Sequence, residues 1–362
     1  MKRIILIAAM LLGALTGGKA QDDIQYVPGT TFPVFGQAFE ASEKHPYRRL
    51  PEHLDGVVRE PLWNLGCNSS GLYVRFRSDA PEIHARWTTG GNHMPHMTDC
   101  GTGGLDLYVL ISGEWTYVGS GFNWGEPSPS HECRIVGNME PLMREYMLYL
   151  SLYDEVKSLD IGVPEGYALS SPEAATPRSD RPMVMYGTSI LQGGCASRPG
   201  MAFTNILARR FNRTVINLGF SGNAFLDEEI AQLMASVKDP SVFVLDYVPN
   251  ASAAMIGERG EHFFRILRNA HPDVPVLFVE DPTFAHSVVD KAIAEEVGQK
   301  NAAQRALFLR LKKDGEKKIY YVGTEGMTGS DGEAFVDGIH FTDLGMVRYA
   351  DHIERALAKA LR

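Results

Sequence analysis

The run Met183-Val184-Met185-Tyr186-Gly187-Thr188-Ser189-Ile190 decides the fold of its half of the chain. Four apolar residues without alternation read as a strand buried on both faces, and such strands belong to parallel sheets covered by helices. The glycine and two hydroxyl residues then close the strand and open a helix. Outward from this run the pattern repeats. Continuous apolar strands are predicted at 215–218, 242–245, 276–279 and 319–322, with helical stretches near 201–211, 227–237, 253–270, 286–312 and 343–361. Strands alternating with helices give an α/β fold with helices on both faces of a parallel sheet. Its ligands sit beyond the carboxyl ends of the strands.

Upstream the pattern changes. Runs at 72–76, 82–87, 105–110, 115–118 and 146–150 mostly alternate apolar with polar residues, as an antiparallel sheet with one wet face does. Several such strands with Gly and Pro between them predict a β-sandwich domain over residues 21–170. A proline-punctuated linker follows near 170–181, and the α/β domain occupies 176–362. No internal repeat is present.

With 362 residues, 44% of them hydrophobic and 22% charged, the chain can bury two cores and is neither disordered nor a multi-span membrane protein. Its formal charge is −9 and no Lys/Arg-rich run exists, so the chain has no electrostatic footprint for nucleic acid or anionic membrane, and neither is expected as a partner. Residues 1–20 read as a signal peptide: Lys2 and Arg3, an apolar stretch over 4–15 too short to span a bilayer, then Gly18-Lys19-Ala20. Cleavage there predicts a secreted or periplasmic protein. No cysteine stands at the cleavage point, so no lipid anchor is expected. Cys67, Cys100, Cys133 and Cys195 allow three full pairings, and no disulfide is assigned.

Ser189 falls just past a strand's carboxyl end, where a hydroxyl is presented at the mouth of the sheet; a helix N-cap would explain a serine there equally well. The next two strands end in Asn217-Leu218-Gly219-Phe220-Ser221-Gly222-Asn223 and Asp246-Tyr247-Val248-Pro249-Asn250. The Gly222 N–H, the Asn250 amide and the Ser189 N–H supply three donors on one edge, which suits an oxyanion hole. Just before the last helix stand Asp337 and His340, close enough for one loop to carry a base and its orienting carboxylate. Each segment alone reads as an ordinary turn or cap. Four of them, in order along one sheet edge, point to a serine nucleophile.

The set Gly187-Thr188-Ser189-Ile190, Ser221-Gly222-Asn223, Asn250 and Asp337-x-x-His340 resembles the four blocks of the SGNH/GDSL hydrolases. Thr188 stands where the family usually has aspartate, and Val248-Pro249-Asn250 replaces a glycine-rich block. The longer string from Gly187 to Gly200, with Tyr47–Pro51 and Gly104-Leu105-Asp106-Leu107-Tyr108, is similar to a bacterial two-domain subgroup with an N-terminal β-sandwich. The resemblance implies a flavodoxin-like α/β/α sandwich and ester hydrolysis through an acyl-enzyme (EC 3.1.1). It also implies Ser189 as nucleophile, His340 as base, Asp337 as its orienter, and an oxyanion hole of Ser189, Gly222 and Asn250.

His93, His96, Asp99 and Cys100 sit within eight positions, yet Pro95 breaks any helix that would align the histidines. No metal and no cofactor is expected. His93, His96, Asn223 and Glu280 are instead candidate substrate contacts. The function expected is a carbohydrate O-acetyl esterase acting on short acyl esters of a small or polymeric sugar. The alternatives are a lipase or acylhydrolase on simple or lipid esters, and a non-catalytic carbohydrate-binding protein.

Overall fold

The computed structural model describes residues 23–39, 42–125, 128–174, 176–177 and 179–362. The leader expected at 1–20 lies outside the described residues. Two antiparallel sheets occupy the N-terminal half. One orders its strands Ile24–Pro28, Ser158–Pro164, Ile83–Thr88 and Ser130–Val136. The other runs Leu169–Ser170, Tyr73–Ser78, Arg144–Tyr149, Leu105–Ile111 and Glu114–Gly121, with Val34–Phe35 added beside Tyr73–Ser78. Leu72, Val74, Phe76, Ala85, Trp87, Leu107, Leu148 and Ile161 meet between them as the sandwich core.

The second sheet does not present one wet face. Its outer side packs on the α/β half, where Arg209 of the helix Phe203–Phe211 lies 4.4 Å over Tyr108 and 5.6 Å from the Tyr149 ring. The Tyr73 hydroxyl meets Thr214 Oγ1 at 3.2 Å. This is why Tyr73–Ser78 is buried almost throughout instead of at alternate residues.

The parallel sheet orders its strands Arg213–Gly219, Ser179–Gly187, Val242–Asp246, Val276–Val279 and Ile319–Val322. Numbered within the sheet this is 2-1-3-4-5, the flavodoxin-like order. Its crevice opens where the strand order reverses, beside the first strand. Val184, Tyr186, Ile216 and Leu218 feed one core, while Met183, Met185, Val215 and Val244 feed the other. Leu50, Leu54, Val58 and Leu62 complete the first core, and Leu152 and Tyr153 the second. Residues that precede the linker therefore belong to the packing of the parallel sheet. Among the described residues no helix is long and apolar enough to cross a membrane.

Candidate active site

The strand Ser179–Gly187 ends level with both neighbours: Gly187 is in register with Gly219 on one side and Asp246 on the other. A Cβ on Gly187 would stand 2.5 Å from Asp246 O, so glycine is what lets these strand ends close. The chain then turns into a short helix, Ser189–Gln192. The Thr188 hydroxyl caps it by accepting from the Ile190 N–H at 3.3 Å. Ser189 is thereby held at the sheet's carboxyl edge, 7% exposed. Its carbonyl accepts from Gly193 N and Gly194 N at 3.1 and 2.8 Å and from the Tyr153 hydroxyl at 3.1 Å.

Opposite lies a tight loop closed by the bridge between Phe335 and Phe341, with Gly338 at φ 90°. Asp337 Oδ1 accepts the N–H groups of Ile339 and His340 at 3.0 and 2.7 Å, which fixes the carboxylate. Its Oδ2 is 2.7 Å from His340 Nδ1, and His340 Nε2 is 2.9 Å from Ser189 Oγ. Partial burial raises the Asp337 carboxyl, but hydrogen bonds from the imidazole and from these two N–H groups outweigh it and hold the group at about 2. A carboxylate that remains ionised keeps its proton partner on Nδ1 and leaves Nε2 as an acceptor toward the hydroxyl.

Gly222 adopts φ 64°, and a Cβ there would meet nothing within 4 Å. The backbone turn, not lack of space, is what favours glycine. The turn is held by Ser221 N donating to Gln192 Oε1 at 3.0 Å and Asn223 N donating to Phe220 O at 2.9 Å. Asn250 Oδ1 accepts the Ala224 N–H at 3.2 Å, so its NH₂ is the remaining polar end. Ser189, Ser221, Gly222, Asn250 and His340 line one cavity of about 360 Å³. A hydroxyl hydrogen-bonded to an oriented imidazole, with N–H donors beside it, is equipped for acyl transfer.

The same cavity carries an apolar wall that the sequence motifs did not show: Ile190, Phe284, Ile293, Val297 and Ile339. Lys300 and Glu296, paired at 2.6 Å, also line it, and Lys300 donates to Pro249 O at 3.3 Å.

Two of the candidate contacts are committed elsewhere. Asn223 receives Arg59 Nη1 on Oδ1 at 2.9 Å and donates to Ser221 O at 2.9 Å, so its amide braces the turn instead of facing the cavity. Glu280 is 1% exposed and accepts from Arg305, the Tyr321 hydroxyl and Thr324 N at 2.7, 2.6 and 2.8 Å. The histidines part company. His93 lies 3.4 Å from Asp99 on a separate cleft, while the His96 ring is 5.4 Å from that of His340. Among the described residues, His96, Cys195, Asp337 and His340 each place one ligating atom within 4.8 Å of the others, so a metal ion held by this group would take over the Asp337–His340 pair. All four cysteines are unpaired thiols.

Motif reading missed the residues that tie the two halves together around Ser189. Tyr153 is one. Gln192, fully buried, donates to Leu152 O at 3.3 Å while accepting from Ser221 N. Arg49 directs its guanidinium to the carbonyls of Asn68, Leu65, Asn217 and Gly219. Asp106 of the Gly104–Tyr108 run accepts from Arg198 and from Gly200 N, both at 2.7 Å. A lone Asp inside an otherwise apolar buried strand, Leu105–Ile111, was the available signal; Tyr153 and Gln192 carry none.

A family model described as the GDSL-like lipase/acylhydrolase family matches residues 180–358, and one described as the N-terminus of SGNH-hydrolase-type esterases matches 24–169. A GDSL-like lipase from Bacteroides ovatus ATCC 8483 is similar over 94% of this chain and 98% of its own, at 34% identity and TM-score 0.88. A salicylyl-acyltransferase from a tetracycline biosynthetic pathway shares the fold at 16% identity and TM-score 0.73, over 94% and 98% of the two chains. A family two carbohydrate esterase from Clostridium thermocellum does so at 13% identity and TM-score 0.57, over 82% and 94%. Among curated proteins, none matches the chain in sequence.

Proposed function

We propose that this chain, which belongs to the GDSL-like lipase/acylhydrolase family and hydrolyses carboxylic esters, removes acetyl and similarly short acyl groups from carbohydrate outside the cytoplasm. The observation that carries the reading is the unbroken path from Asp337 through His340 to Ser189, at 2.7 and 2.9 Å, opening into the cavity. In this reading His340 Nε2 takes the hydroxyl proton as Ser189 Oγ attacks the ester carbonyl. The negative oxygen that forms is met by the N–H groups of Ser189 and Gly222 and by the Asn250 NH₂. The tetrahedral species expels the sugar alkoxide, which takes the proton from His340, and leaves an acyl-Ser189 ester. Water, deprotonated by the same imidazole, then attacks that ester and frees the acid.

The charged part of the cavity lining supports a short acyl group. A longer chain packed on Ile293 and Val297 gains about 0.8 kcal/mol per buried methylene, but the same cavity is lined by the Lys300–Glu296 pair, and covering the largely buried Lys300 ammonium with acyl chain opposes that gain. The carbohydrate part of the reading draws on the shared fold with a carbohydrate esterase and on the polar edge formed by Ser221 and Asn250. Export rests on residues 1–20 alone, and mass analysis of the protein from the periplasm or medium, beginning after Ala20, tests it.

The deciding experiment measures acetate released from acetylated xylo-, manno- and gluco-oligosaccharides, beside 4-nitrophenyl esters from acetate to octanoate. Acetate release from a glycan, with nitrophenyl rates falling beyond butyrate, is the expected result. Octanoate faster than acetate, with every glycan inert, would replace this reading with a lipase.

A further inference from the structure

Trp124 is 90% exposed, the most exposed large hydrophobic residue among those described, and neither core explains it. Its ring lies 4.6 Å from that of Phe122, and Phe122 forms a wall of a cleft on the β-sandwich, away from Ser189. Asn92, His93, Asp99, Asn123 and His131 make up the polar side of the same cleft. An exposed aromatic beside a pocket with convergent polar groups marks a binding site more often than it marks chance.

The wall is rigid before any ligand arrives. Asp154 accepts the N–H groups of Gly90, Gly91 and Asn92 at 2.7, 3.0 and 2.8 Å. Asn92 donates to Tyr153 O at 2.6 Å and Asn123 to Ser130 O at 3.0 Å. His131 stacks on Trp87 at 4.7 Å with planes 7° apart. Groups already held in place lose little freedom on binding.

We infer that this cleft is a second glycan subsite, taking a neutral pyranose ring of the oligosaccharide whose ester is presented to Ser189; the inference rests on the carbohydrate reading above. The axial C–H bonds of a pyranose present an apolar face that suits an exposed indole, and its ring hydroxyls suit amide, imidazole and carboxylate partners. Among the described residues no Lys or Arg lines the cleft, whereas Asp99 and Asp154 do, so anionic sugars are disfavoured. The path between the two sites is short in the fold. His96, three residues from His93, reaches the His340 ring, and Tyr153, next to Asp154, donates to Ser189 O.

The test uses the full chain carrying Ser189→Ala and measures calorimetric binding of unacetylated xylohexaose, cellohexaose and mannohexaose, with and without Trp124→Ala and Phe122→Ala. At least one hexasaccharide is expected to bind, and each cleft substitution should weaken it about tenfold. In the active enzyme the same substitutions should raise KM for that sugar's acetylated hexasaccharide with kcat held, and leave KM for the acetylated monosaccharide where it was. No binding of any hexasaccharide, or binding indifferent to both substitutions, overturns the subsite. Failure of the esterase reading looks different: hexasaccharide binding that depends on Trp124, with no acetate released from any glycan.

Discussion

The Tyr153 hydroxyl donates to the carbonyl of Ser189 at 3.1 Å, so a residue that precedes the linker braces the residue that follows the first parallel strand. The brace shares its acceptor with the N–H groups of Gly193 and Gly194. Tyr153→Phe therefore leaves no orphaned carbonyl and should cost about 1 kcal/mol of stability. A fall in kcat of up to about tenfold is expected from the loosened nucleophile. Thermal unfolding and kcat measured together check this; an unchanged kcat with a lowered Tm would assign Tyr153 to packing alone.

His340→Ala should remove nearly all activity, and Asp337→Asn should leave more, with a loss on the order of 10⁴. The pH dependence carries a sign. The Asp337 carboxyl is held at about 2, below its ordinary 3.8, so the fold has the benefit of its ionised form above about pH 4 and loses it as pH falls through about 2. Loss of activity on mild acidification therefore has a source other than protonation of Asp337. An acid limb in kcat that disappears in Asp337→Asn would contradict that.

Asp281 behaves oppositely. It is fully buried, both carboxylate oxygens lack a hydrogen-bond partner among the described residues, and burial, opposed by Lys300, pushes it up to about 7. Its folded value lies above its unfolded one, so the native state binds the extra proton and stability falls as pH rises from about 4 to 7. Asp281→Asn mimics the protonated form and should raise Tm at pH 8 by several degrees while changing little at pH 5. Parallel Tm–pH curves for the two proteins would refute the assignment.

The strand ends were legible because apolar runs without alternation are hard to place anywhere but a covered parallel sheet, and the polar segments after them had to fall on one edge. Side-chain direction was not legible. Asn223 and Glu280 stand where motif spacing suggests substrate contact, yet local partners, Arg59 for one and Arg305 with Tyr321 for the other, take their polar atoms. The strand Ser130–Val136 escaped notice because it is an edge strand of the sandwich sheet, where Ser130, Glu132 and Arg134 meet water. Tyr153, Gln192 and Arg49 act across the halves, through contacts that no local pattern encodes.

Metal removal should leave the rate unchanged, since the oxyanion donors are N–H groups and the base is an imidazole already oriented. Added Zn²⁺ should inhibit, because His96, Cys195, Asp337 and His340 offer imidazole, thiol and carboxylate ligands within 4.8 Å of one another and the ion would occupy the base. His96→Ala should weaken that inhibition. Loss of activity in EDTA restored by metal would reverse the reading of this cluster.

The central claim, that Ser189 attacks the ester, is tested most directly by intact-mass and peptide mapping after reaction with a 4-nitrophenyl phosphonate ester. The account predicts one adduct, on Ser189, formed in step with loss of activity, no adduct in Ser189→Ala, and hydrolysis by that variant reduced on the order of 10⁶. Full inactivation with the adduct on another residue, or wild-type hydrolysis by purified Ser189→Ala, would contradict it.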